Sequence, residues 1–174
     1  MAKAKLVKVT VKLPWVEGVW EADEKQQLAA WEMYVELITR VAVQPLGAER
    51  GLLREALTSL HSLFGETRRI LKQYGPSVAT PLHPTALAFG QIAVDVLNRS
   101  LRPLLARWHP LLSAHEIARP ANHSPFDHER AWAQHDELRA QLAECRQTLM
   151  LYADLLAAVC SITSLHDPAG ETVA

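Results

Sequence analysis

The chain has no excess of charge of either sign: 18 lysines and arginines face 19 aspartates and glutamates, a net of −1 with histidine neutral. No global field therefore draws it to nucleic acid or to an anionic membrane, and only a local patch could do so. Cysteine is scarce. Cys145 and Cys160 stand 15 positions apart in one helical segment, roughly 22 Å along a straight helix, too far to bridge each other. Their apolar surroundings predict buried, reduced thiols of a reducing compartment. Long hydrophobic runs are missing too. The longest, 84–94 and 149–162, fall short of the roughly 20 residues that span a bilayer, and Asp154 interrupts the second. The basic start Met1-Ala2-Lys3-Ala4-Lys5 leads into residues interrupted by Lys8 and Lys12, so no leader is expected there and the expected location is cytoplasmic.

Catalytic motifs are equally absent. There is no Gly-x-Ser-x-Gly and no glycine-rich phosphate loop, and no strand-turn-helix context in which either would work. Eight histidines raise a metal reading, but no Glu has a His three residues on and no His pair sits at i, i+4, the spacings of di-iron bundles and zincins. His128 and His135, seven apart, are the nearest approach, and a zinc site on them would need His61 or His109 from another helix. A metal-dependent bundle enzyme on that pair is the least favoured reading, and no cofactor is expected.

What is present is one period-two alternation, Leu6 to Leu13. It reads as a strand without a second, and unpaired backbone groups need a partner. Pro14 to Trp20, with two tryptophans, reads as a bridge packed on the helices. Residues 1–20 are thus expected to form a separable β arm whose removal leaves those helices intact. Its side chains Val7, Val9, Val11 and Leu13, with Trp15 and Trp20, form the candidate protein interface, since tryptophan is enriched at hot spots.

Apolar residues then recur at spacings of three and four. Helix 1 opens near Glu21 to Glu24 and carries Leu28, Trp31, Val35, Ile38 and Ala42. Pro45 and Gly47 interrupt it. Helix 2 carries Leu53, Leu57, Leu60, Phe64, Thr67, Leu71 and Tyr74, and stops at Gly75-Pro76. Helix 3 starts after Pro84 with Leu87, Gly90, Val94, Leu97, Leu101, Leu104 and Trp108, kinked or split near Ser100 by Pro103, and ends before Arg119-Pro120. Helix 4 starts at Ser124-Pro125 and carries Ala131, His135, Leu138, Leu142, Cys145, Leu149, Tyr152, Leu156 and Val159 up to Asp167. That predicts a mostly α protein: a four-helix bundle over 21–167 with the N-terminal β arm and a tail over 168–174.

His135 is expected in the core, where a polar residue can fix register. Asp95 is expected to pair with Arg99. Three arginines with an aromatic neighbour, Arg99, Arg102, Arg107 and Trp108, are the candidate nucleic-acid contacts. The favoured function is a non-enzymatic assembly or adaptor subunit that binds itself or another protein. The alternative is a small nucleic-acid-associated subunit.

Overall fold

A computed structural model describes residues 6–43 and 51–165. Pro45, Gly47 and the stretch from His166 onward lie outside those residues. The molecule is mostly helical, with a small three-stranded sheet near its N-terminus. The helices are α1 (Glu24–Ile38), α2 (Leu53–Tyr74), α3 (Phe89–Val96), α4 (Arg102–Ile117), α5 (Pro125–Arg130) and α6 (His135–Val159). No helix among the described residues is long and apolar enough to cross a membrane.

The first correction concerns the strand. β1 (Val7–Leu13) is paired within the chain, antiparallel to β2 (Val16–Ala22) across the two-residue turn Pro14-Trp15. β3 (Ala86–Leu87) lies parallel on the far side of β2, giving the order β1-β2-β3. The bridge is therefore a strand. On one face, Val11, Leu13, Trp20 and Ala22 are buried in the same cluster as the helical leucines. On the other, the register sets Lys8 opposite Glu21, 2.8 Å apart. The sheet is one wall of a shared core.

α1 is phased differently from expectation. Leu28, Trp31 and Val35 are exposed, and the buried face is Gln26, Ala29, Ala30, Met33, Tyr34 and Leu37. Two apolar stripes coexist on this helix. Ala29 and Ala30 present no bulk, so that side comes close to its neighbours α2 and α6. α2 keeps the first half of its expected seam, Leu53, Leu57 and Leu60, but beyond it the buried face moves to Leu63, Thr67 and Ile70 and leaves Phe64, Leu71 and Tyr74 half-buried. It keeps its stop: Gly75, at φ 74°, donates its N–H to Leu71 O at 3.0 Å, at a positive φ suited to glycine.

The third helix is interrupted across Ser100, as expected, but by a π turn rather than a loop. α3 and α4 join through a π turn, Leu97–Leu101, in which Arg102 N–H reaches back to Leu97 O. The wider turn absorbs the N–H that Pro103 lacks. Val94 of the expected seam is exposed.

The fourth helix, by contrast, is two. Ser124 caps α5 as its sequence suggests, accepting from Asp127 N at 3.0 Å, but the helix ends at Arg130 and α6 starts at His135. Trp132, between them, turns in to meet Trp108 edge-on at 5.9 Å and to stack on His115 at 5.3 Å. Ala131 is exposed, and the buried seam begins at Leu138 and runs as expected to Val159.

Candidate interaction surfaces

The side chains offered as an interface are mostly committed inside. Val11, Leu13 and Trp20 are buried, Val9 and Trp15 are half-buried against the core, and Val7 is half-buried. What β1 leaves outside is backbone. A two-residue turn makes Leu13 and Val16 the closing hydrogen-bonded pair, so alternation turns the N–H and C=O groups of Lys8, Thr10 and Lys12 away from β2. Among the described residues, no hydrogen bond reaches those outward groups. β1 is the terminal strand of its sheet, and Lys8, Thr10 and Lys12 are exposed.

The arginines do not converge. Arg99 and Arg107 border a cavity of about 450 Å³ between the π turn, α6 and the Pro14-Trp15 turn, whereas Arg102 faces the groove between α2 and α4. Arg99 pairs with Asp95 at 3.4 Å, as expected for this spacing. Arg107 pairs with Glu137 at 2.5 Å and lies over the Trp108 ring. Trp108 is fully buried, its indole N–H donating to Gln141 Oε1 at 2.7 Å, so it offers no stacking face to a base. Cys145 lines the 450 Å³ cavity, 3.6 Å from Ser100 Oγ. Burial pushes its thiol above the ordinary range, and pushes that of half-buried Cys160 up to about 11, so neither is a ready nucleophile.

The histidines form pairs of another kind. His128 stacks on His115 with ring centroids 3.9 Å apart, and the Nε2 of each lies 2.8 Å from the other's backbone O. That exchange ties α4 to α5 and occupies Nε2 of His128, one of its two possible metal-binding nitrogens. His135 stands at the start of α6, one turn before the buried seam, with its side chain 13% exposed. Its Nδ1 lies 2.9 Å from Oδ1 of the fully exposed Asp136. Among the described residues, no three His, Cys, Asp or Glu side chains are grouped to hold a metal ion.

Two constellations escape a reading of the sequence. Glu129, 5% exposed, accepts from the N–H groups of Leu53 and Arg54 at 2.7 and 3.4 Å, capping α2 from α5. Arg54 then grips Glu116 through Nε and Nη2 at 2.8 to 3.1 Å and donates to His109 Nδ1 at 2.8 Å. No local spacing announces partners more than 50 positions apart. Comparison with family models, curated proteins and solved structures returned no match, so the functional reading rests on these surfaces.

Proposed function

We propose that the chain is a non-enzymatic assembly or adaptor subunit, a four-helix bundle with α3–α4 as one rod, that receives an added strand along the open edge of β1. The observation that carries this is the unpartnered row of outward N–H and C=O groups on Lys8, Thr10 and Lys12 among the described residues. Strand addition supplies main-chain hydrogen bonds to such an edge, and side-chain pairing supplies the choice of partner. A second copy fits less well than another protein. Antiparallel self-pairing centred on Thr10 sets Lys8 against the copy's Lys12, a like-charge pairing, whereas a strand with acidic residues at those positions pairs favourably.

The nucleic-acid alternative has less behind it, since two of its three arginines are ion-paired and Trp108 is interior. The test is Thr10→Pro, which removes an outward donor and leaves the β1–β2 bonds in place. Proteins that co-purify with the wild-type chain from its native host should be lost from the variant, with far-UV circular dichroism unchanged. Light scattering of both proteins reads a second copy as the partner instead. An unaltered set of bound proteins and an unaltered mass would overturn the proposal.

A further inference from the structure

A groove on another part of the molecule shares no residue with β1. α2 is one wall and the continuous α3–π–α4 rod is the other. Two adjoining cavities of about 740 and 400 Å³ lie between them and share Phe64, Arg68 and Arg102. Their lining on α2 extends from His61 to Lys72, roughly 16 Å or three turns. The floor is apolar, formed by Phe64, Leu71, Leu97 and Leu105, with the 40%-exposed Val94 at its margin.

The π turn shapes the second wall. Val94, Asn98 and Arg102 all line the groove, yet in an unbroken α-helix at about 100° per residue, position 102 would lie about 80° around from position 94. The extra residue of the π turn cancels that drift and holds Arg102 over the floor. Such turns concentrate at functional sites.

The rim is basic and unneutralised. Arg68 and Lys72 have no ion-pair or hydrogen-bond partner among the described residues. Arg102 donates only to Asn98 Oδ1, at 3.0 Å, and its guanidinium lies 5.3 Å from the Phe64 ring centroid. Glu66 is the one carboxylate lining either cavity, and it is held 2.8 Å from Arg69, which also binds Glu32. A chain with no net basic charge thus gathers three cations along one apolar trough.

We infer that this groove docks an acidic amphipathic α-helix of a partner protein. Its apolar side chains at i, i+3 or i+4, and i+7 lie on the Phe64–Leu71–Leu97 floor, and its flanking carboxylates meet Arg68, Lys72 and Arg102. Three turns of lining match the anchor spacing of helix-in-groove recognition. A nucleic acid would use the cations and leave the floor bare, and a small anion would fill neither the length nor the apolar surface.

The test titrates the full chain with two fluorescein-labelled helical peptides of about 15 residues, one with leucine anchors and glutamate elsewhere, the other with lysine in place of glutamate, and with an oligothymidylate. The glutamate peptide should bind and the lysine peptide should not. The double variant Arg68→Glu/Lys72→Glu, changed at two exposed positions, should bind the glutamate peptide about tenfold more weakly and acquire affinity for the lysine peptide. Val94→Asp should also weaken the glutamate peptide, which separates docking on the floor from attraction by the rim alone. Circular dichroism of each variant should match wild type. No binding of the glutamate peptide at about 1 mM, indifference to charge reversal, or tighter binding of the oligothymidylate would each overturn the inference.

Discussion

At the scale of single residues, buried polar atoms decide more than exposed charges do. Gln26 is fully buried, and its Oε1 accepts from the Trp20 indole at 2.7 Å and from Phe89 N at 3.0 Å. One side chain thereby joins β2, α1 and the first turn of α3. Gln26→Leu would leave two buried donors unsatisfied and should cost about 2–4 kcal/mol, read from urea unfolding. Ser161 comes just after α6 at φ 55°, where a Cβ is strained, so Ser161→Gly should raise stability by about 1 kcal/mol. His109 provides a pH handle. Arginine only donates, so His109 Nδ1 is the acceptor of the Arg54 bond and the ring is neutral there. Burial, then the Arg54 and His61 charges, push its pKa below the ordinary 6.5. The unfolded chain therefore binds this proton more readily than the folded one. The contribution is complete above about pH 6.5 and is lost as pH falls through the lower folded value. His109→Phe should flatten the decline in melting temperature between about pH 7 and 5.

At the scale of elements, legibility in the sequence tracks how local the determinants are. The first half of the α2 seam, the Gly75 stop, the Asp95–Arg99 pair and the α6 seam from Leu138 onward each depend on neighbours within a few turns, and each is readable. β2 is not, although it alternates in the same way as β1: a glycine occupies one of its inward positions, Gly18, and a valine, Val19, lies on the opposite face. The phase of α1 is ambiguous because Leu28, Trp31 and Val35 look more like a seam than Ala29 and Ala30 do. The break at 131–134 depends on Trp132 meeting Trp108 and on Glu129 reaching α2, contacts that spacing does not disclose. That last contact is testable. Leu52, the residue preceding α2, offers no side-chain cap, so Glu129→Ala should cost about 1–3 kcal/mol by exposing orphan N–H groups in the interior. Adding Leu52→Asp to that variant should recover about 1 kcal/mol through a local cap. Chemical denaturation of the single and double variants checks both steps.

At the scale of the whole molecule, the sheet is a structural wall whose outer edge alone remains available, and this changes what truncation should do. A separable arm could be removed without harm to the helices. Here Val11 and Leu13 are buried in the cluster shared by α6 and β2, and each side chain contributes about 1.5–3 kcal/mol by burial. β1 also covers Trp20, whose indole anchors Gln26 and through it the start of α3. The sum is a large share of the roughly 5–15 kcal/mol that holds a domain of this size. Removing residues 1–13 should therefore abolish or strongly weaken the cooperative thermal transition, whereas Thr10→Pro should leave it near its wild-type midpoint. Calorimetry on the two proteins distinguishes the cases. A truncated chain that still melts cooperatively near the wild-type temperature would restore the separable arm and remove the physical reason for placing the proposed strand addition on the backbone edge of β1 rather than on its side chains.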